Sequence, residues 1–385
     1  MSKHDFTNEE FADRLVRTRK AIAEAGLDWF LVVHPVTMRW LIGQDNKSFT
    51  AFQCLAVSAT SDNLVIFTRE MERNEFELDT MVTEVRSYNG REPEDPMEAF
   101  SKFADDLGLK SARVGMEVPS WYLNPHQYIR VKEILGKALV SEPSGLIHNL
   151  KLVKSPQEIE YHRKSAAIAA DALKALIATV AEGRTELELA AAAYHAILKA
   201  GSAIPASTMN LMTGERSCFV LGAPTERKQK RGDTGLVELG GAYRRYTSTL
   251  GRQWVLGQPT ARLRDLHKLV LEASDACMTE MRDGAPAIKA HEALKGVIAK
   301  AGMDHFRQHT SGYGMAPGFP PSWGEPTNMF GGSKDVLRAG MVISVEPAVF
   351  IRAEGIGVRL IDNCLITKSG VEVLSRTPRD LILVD

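Results

Sequence analysis

The feature that most constrains this chain lies near its middle. Residues 155–158 read Ser-Pro-Gln-Glu: a hydroxyl side chain, a proline, and a glutamate three positions on. That is a capping box with proline at the first helical position. The Ala-rich run behind it predicts a long helix over residues 157–181. Pro143, Ser144 and Gly145 break the pattern just ahead of it. One folding unit therefore ends and another begins here. A length of 385 residues accommodates two domains, and the expected division is 1–150 and 151–385.

Ahead of the junction, helical and extended patterns alternate. Phe11, Leu15, Val16 and Ile22 stand at helical spacing over residues 11–25, and Gly26 stops that helix. Apolar strands follow at 29–34, 55–58 and 63–68, then a helix at 96–107 capped by Asp95, then a strand at 113–117. This is an α/β pattern, a sheet with helices packed on it. Behind the junction a second capped helix spans 185–200. After residue 210 the texture changes to Gly-punctuated extended segments at 235–239, 243–256, 342–350 and 358–367, with helices at 261–281 and 287–301 between them. The second half is expected to be one α+β domain with an antiparallel sheet.

Composition removes several classes of function. Lys plus Arg number 47 against 48 Asp plus Glu, a net charge of −1, which leaves no basic footprint for nucleic acid. No run approaches the roughly 18 apolar residues of a membrane helix. Residues 1–10 are polar and acidic, unlike a secretory signal. Cys54, Cys218, Cys277 and Cys364 are scattered with no CxxC spacing, so buried thiols and a cytoplasmic location are expected. The partner is then a small molecule or a second copy of the chain, not nucleic acid or membrane. Of ten histidines only His305 and His309 stand at HxxxH spacing, without the Glu of a zinc-protease helix. Both read as polar surface residues on a loop or strand.

The order of several short segments carries a resemblance. After Lys154-Ser155-Pro156-Gln157-Glu158-Ile159 come Arg231-Gly232-Asp233, residues 237–243 (VELGGAY), Gly312-Tyr313-Gly314-Met315, residues 341–347 (MVISVEP) and Gly357-Val358-Arg359. Over roughly residues 150–380 this resembles the creatinase/prolidase/methionine aminopeptidase superfamily, and residues 1–150 are similar to the smaller domain of its creatinase and prolidase branch. The resemblance implies an α+β protein of two domains. A small N-terminal α/β creatinase-like domain would precede a C-terminal pita-bread domain with a curved antiparallel sheet.

Peptidases of that superfamily hold two metal ions with two Asp, one His and two Glu, a donor set suited to divalent ions that clamp water and leaving group. Carried onto this sequence, the first Asp position falls on Glu238 and the second on Thr249. The His position falls on Tyr313, the first Glu on Glu346 and the second on Ile361. The family's further catalytic His falls on Pro320, and residues 218–230 hold no substrate-side His. A hydroxyl, a phenol and an aliphatic chain do not neutralise divalent ions. No metal and no other cofactor is expected.

Two branches of the fold work without metal: creatinase, which opens a guanidinium C–N bond, and the ectoine hydrolases, which open a cyclic amidine. The chain is more similar to the second. Residues 238–246 read Glu-x-x-Gly-x-Tyr-x-Arg-Tyr. Gly312, Tyr313, Pro320, Pro321, Trp323, Gly324 and Glu325 keep a second pattern, and Met38, Trp40, Leu41, Gly43 and Asp45, followed by Ser48 and Phe49, a third. The resemblance implies a metal-independent hydrolase of a non-peptide C–N bond in a small zwitterionic amidine, guanidine or cyclic amide. Glu238 would be its nucleophile or base and Glu346 a second carboxylate that splits the two pKa values. Tyr313 would donate to developing negative charge. Arg227, Arg244, Arg245 or Arg359 would clamp a substrate carboxylate. Tyr243, Tyr246, Trp323 and Glu325 are further candidates for substrate binding. Trp40, Asp45 and Phe49 would act in trans, because members of this branch are commonly homodimers.

Plainer readings stand beside these. Glu346 can be a structural carboxylate paired with Arg359, Tyr313 can pack on Trp323, and Trp40 can be core. One of Arg244 and Arg245 can be surface charge, because neighbours in a strand face opposite ways. Residues 46–49 and 247–249 depart from the ectoine pattern, so the pocket is altered. The rival functions are a Xaa-Pro aminopeptidase or prolidase with an unusual metal site, and a non-catalytic binding module.

Overall fold

The computed structural model describes residues 2–118, 120–142 and 145–385, so the break expected at Pro143 and Ser144 lies outside the described residues. The chain divides into two compact units, residues 1–151 and 152–385.

The first unit contains α1 (Asn8–Glu24), β1 (Trp29–Val32), α2 (Pro35–Ile42), β2 (Cys54–Ser58), β3 (Leu64–Arg69), α3 (Arg73–Asp79), β4 (Glu84–Tyr88), α4 (Pro96–Asp106), β5 (Val114–Met116), α5 (Pro125–Leu135), β6 (Leu139–Ser141) and α6 (His148–Lys151). The Asp95 side chain accepts from the Met97 N–H at 2.8 Å and starts α4 as expected. The six strands form one mixed sheet in the order β4-β3-β2-β1-β5-β6. Along β1 the side chains alternate between two cores. Leu31 packs with Phe67, Phe100 and Val114, whereas Phe30 and Val32 pack with Ile66 and Phe76. Burial on both faces explains why these strands read as continuous apolar runs.

The second unit opens on α7 (Pro156–Ile177), where Ser155 and Glu158 make both bonds of the capping box at 3.3 and 2.8 Å. It continues through α8 (Glu186–Lys199), β7 (Asn210–Thr213), β8 (Thr234–Tyr243), β9 (Tyr246–Leu256), α9 (Ala261–Glu280), α10 (Ala287–Lys300), β10 (Gly312–Phe319), β11 (Ser322–Met329), β12 (Val342–Val345), β13 (Ala348–Ile351), β14 (Ile356–Arg359), β15 (Asp362–Ile366), β16 (Val371–Val373) and β17 (Ile382–Val384). Its main sheet runs β16-β15-β12-β10-β9-β8-β7, with β11 added to β10 and β17 to β9, and β13 and β14 form a separate hairpin. This is the two-domain α+β architecture that the resemblance implied, with a second-domain sheet that is antiparallel from β16 to β7 and carries β17 parallel to β9.

Three local departures bear on the site. The hairpin β8–β9 turns at Arg244 and Arg245, with φ of 51° and 71°. Both belong to a two-residue turn rather than a strand, so the opposite-faces argument does not apply to them. The extended segment expected at 342–350 breaks at Glu346 and Pro347, because proline has no N–H for a ladder. The segment expected at 358–367 breaks at Leu360 and Ile361, where Ile361 leaves the hairpin to exchange backbone bonds with Gly251 at 3.1 and 3.2 Å.

Candidate active site

Alternation along β8 decides which side chains meet. Gly241 faces α7: a Cβ there would come within 2.2 Å of the Ser165 carbonyl oxygen. Glu238 and Gly240 therefore point to the opposite face. In register, Gly251 of β9 stands across from Glu238 and Thr249 across from Gly240, so all four share that face. The glycines leave room beside the carboxylate. A Cβ on Gly240 would lie 3.0 Å from the Trp323 ring and one on Gly251 2.6 Å from Ile361, so these two side chains cover the hairpin around Glu238.

Glu238 is buried, and among the described residues its hydrogen bonds all fall on Oε2. It accepts from Arg359 Nη1 at 2.5 Å and from Asn210 Nδ2 at 3.0 Å. Burial raises the Glu238 pKa and the charge of Glu346 adds to that; Arg359 and Asn210 pull the other way, and the net shift is upward. Glu346 is 1 % exposed and its Oε1 accepts from Ser344 Oγ at 2.7 Å. Ser344 Oγ continues to Thr249 Oγ1 at 3.3 Å, which accepts from Asn363 Nδ2 at 2.9 Å. The buried Glu346 Oε2 has no hydrogen bond of ordinary geometry among the described residues; the Tyr313 hydroxyl interacts with the Glu346 carboxylate, and His309 Nδ1 stands 3.4 Å from Oε2. The Tyr313 hydroxyl accepts from Trp323 Nε1 at 3.1 Å. Burial, then the charges of Glu346 and Glu238, hold the Tyr313 pKa well above its usual value, so the phenol stays protonated. Arg359 is 1 % exposed, lies 5.4 Å from the Phe350 ring centroid, and among the described residues its Nε and Nη2 have no acceptor.

Glu238, Glu346, Tyr313, Trp323 and Arg359 are thus brought together. Others among the expected residues are not. Tyr243 is on the α7 face, its ring 5.4 Å from that of Tyr161. Tyr246 is buried there too and donates to Glu158 Oε1 at 2.7 Å. Arg245 sits on the turn with its guanidinium 4.4 Å from the Phe319 ring centroid. Arg227 pairs with Glu215 at 2.8 Å and Asp233 at 2.7 Å, which anchors the loop before β8 instead of offering a clamp. Glu325 is buried against the Lys154 ammonium. Trp40 is 1 % exposed in the core of the first unit, with the Arg14 and Arg17 guanidinium groups each 5.2 Å from its ring centroid. A side chain so enclosed is core, not a ligand wall. Asp45 is exposed, and Phe49 lies edge-on to Tyr122 at 5.6 Å, both in the first unit.

Other residues of the site carry no signal in the sequence. His309, expected at the surface, is beside Glu346. Asn210, Ser344 and Asn363 have no motif to mark them; their roles come only from strands that pair across the sheet.

The donor set does not fit a pair of divalent ions. At the five positions that the resemblance assigns to metal ligands stand a carboxylate already paired with a buried guanidinium, a threonine hydroxyl, a protonated phenol, a second carboxylate and an aliphatic chain. Among the described residues no group of three or more His, Cys, Asp or Glu side chains could hold a metal ion.

The fold is the one seen in solved prolidases. The prolidase from Pyrococcus horikoshii superposes with a TM-score of 0.84 at 24% identity, covering 96% of this chain and 100% of that one. Residues 160–368 match Metallopeptidase family M24, and residues 14–153 match the Creatinase/Prolidase N-terminal domain. The chain belongs to the M24 family and is a hydrolase of it. It is similar to an ectoine hydrolase from Halomonas elongata, 26% identical over 98% of both chains. It is also similar to a Xaa-Pro dipeptidase from Pyrococcus horikoshii, 30% identical over 74% of this chain and 80% of that one.

Proposed function

We propose that the chain is a metal-independent hydrolase of a non-peptide C–N bond in a small zwitterionic amidine, guanidine or cyclic amide. One observation carries this reading: Glu238 and Glu346 are both buried and near enough for the charge of one to act on the other, while the positions that the resemblance assigns to the remaining metal ligands are Thr249, Tyr313 and Ile361. Two buried carboxylates against one guanidinium leave an excess of negative charge, which suits a cationic C–N group.

Glu238 Oε1, the oxygen without a donor, is the nucleophile or the base. Its attack, or that of the water it deprotonates, puts oxygen on the amidine carbon; where Glu238 itself attacks, water then hydrolyses the bond between Glu238 and that carbon and frees the carboxylate. The C–N electron pair then leaves on nitrogen, which takes the proton released from water. One water is consumed and no electrons are exchanged. The raised Glu238 pKa suits a group that carries a proton between water and nitrogen. Tyr313, held neutral, donates to charge that develops in the adduct. Arg359 keeps Glu238 in place and offers its Nε and Nη2 edge to a substrate carboxylate. The chain works as a cytoplasmic homodimer in which Asp45 and Phe49 reach the partner's site, and light scattering at the mass of one chain would refute that arrangement.

The test is emission spectroscopy for bound metals together with turnover of amidines, guanidines, lactams, N-acyl amino acids and Xaa-Pro dipeptides, with and without chelator. Expected are chelator-resistant cleavage of a non-peptide C–N bond and its loss in Glu238→Gln. About two metals per chain with chelator-sensitive Xaa-Pro cleavage would overturn the reading in favour of a dipeptidase, the activity of the 30% identical relative. No turnover of any compound would favour a binding module.

A further inference from the structure

We infer that Asn210 is the positioning residue of Glu238, and that it ties this carboxylate to the exposed apolar segment 219–222. The inference rests on the reading of Glu238 as the reacting group. Asn210 opens β7 and stands directly across from Glu238 in the sheet. Its Nδ2 donates to Glu238 Oε2 at 3.0 Å, and its Oδ1 accepts from the Gly222 N–H at 3.2 Å. The amide has only one useful orientation, because the carboxylate needs a donor and the backbone N–H needs an acceptor. The next residue closes the same junction: the Leu211 N–H donates to the Gly222 carbonyl at 2.9 Å. Gly222 lies tight on the strand, since a Cβ there would come within 2.7 Å of Met212 Cγ.

The consequence is a mechanical link. Glu238 has two donors, and both converge on Oε2. Arg359 supplies charge; Asn210 fixes where that oxygen lies, and so where the free Oε1 points. The same side chain holds a segment that exposes Phe219 and Leu221 at 47% and 66%. A neutral amide is the residue type that serves both ends. An aspartate would set a third carboxylate against Glu238, and a leucine of similar size would leave the Gly222 N–H and Glu238 Oε2 each one partner short. A substrate that orders or displaces the segment at Gly222 therefore alters the donor on Glu238.

Hydrogen exchange read by mass spectrometry tests the link without any substrate. In Glu238→Ala, Asn210 loses its anchor and is free to turn. Exchange at the Gly222 amide should rise about fivefold, the loss of one net hydrogen bond, while amides of α10 stay as in the wild type. Unchanged exchange at Gly222 would overturn the inference. If Glu238→Ala does not fold, Glu238→Gln with Asn210→Leu reads the same amide. Where the substrate panel gives turnover, Asn210→Leu should lower kcat about tenfold to a hundredfold with KM within about threefold, a split that loose packing alone does not produce. An equal fall in kcat and rise in KM, or none, counts against positioning. Failure of the wild type on every compound would sink the hydrolase reading and leave the exchange result standing.

Discussion

Arg359→Met probes the electrostatics on which the site depends. Arg359 and Glu238 are 1% and 7% exposed at their side chains, so neither charge has water to fall back on. Removing one partner of such a pair typically destabilises by about 3–5 kcal/mol, mostly because the other charge stays buried. In Arg359→Met the stranded group is Glu238, left with the Asn210 donor and facing Glu346. Its escape is to bind a proton. Glu238→Gln strands the guanidinium instead, in a place where Nε and Nη2 already lack acceptors. Arg359→Met with Glu238→Gln removes both charges and should cost well under the sum, with a coupling of about 2–3 kcal/mol. Urea midpoints, with exchange of β8 and β9 amides reporting on the second unit, give the cycle. The pH dependence has a definite sign. Burial raises the folded pKa of Glu238 above its ordinary 4.5, so between the two values the native state holds the extra proton and stability falls as pH rises. Losing Arg359 raises the folded value further, so the deficit of Arg359→Met should grow from pH 5 to pH 8. Additivity within about 0.5 kcal/mol, or a deficit that does not change with pH, would refute this account.

Lys154→Met should cost about 3–5 kcal/mol in urea midpoint measurements, because Lys154 and Glu325 are 1% and 2% exposed and the glutamate charge would stay buried. Gly241→Ala should destabilise by about 2 kcal/mol or more, read by thermal melting, because the added Cβ meets backbone at 2.2 Å between β8 and α7. Burial, helped by Lys151 and Lys154 respectively, lowers the pKa of His34 and His162 from 6.5 to about 3. The unfolded chain then binds more protons below 6.5, so stability present above that pH is lost towards pH 3. By pH 5 each ring should remove about 2 kcal/mol, and His162→Gln should flatten the fall in the second unit.

What could be read in the sequence followed from local chemistry. Ser155 with Glu158 and Asp95 with Pro96 mark helix starts whose hydrogen bonds span two or three residues. Asn124, Pro125 and Gln127 make the same box before α5, and the same local rule explains it. β10 and β11 were not legible. GYGMAPGF and SWGEPTNM show no strand period, and their pairing with each other and with β12 is supplied by the rest of the sheet. The site divides in the same way. Motif order led to Glu238, Glu346, Tyr313 and Trp323, but Asn210, His309 and Asn363 act across 28, 37 and 114 residues of sequence, on Glu238, Glu346 and Thr249.

The motif also brought in residues that hold the frame. Tyr246 with Glu158, and Glu325 with Lys154, join separate segments that carry the resemblance, yet each pair is a buried structural contact. A strand alternates with period two, so Tyr243, five positions from Glu238, had to face the other way. That parity is a property of the residue numbers alone, and it separates members of a motif that react from members that pack. Applied to β8 and β9, it leaves Glu238 and Thr249 on the reacting face and Tyr243 and Tyr246 on the α7 face. A change of specificity should therefore come from Thr249, Trp323 or Ile361, which border Glu238, while changes at Tyr243 or Tyr246 should act through stability.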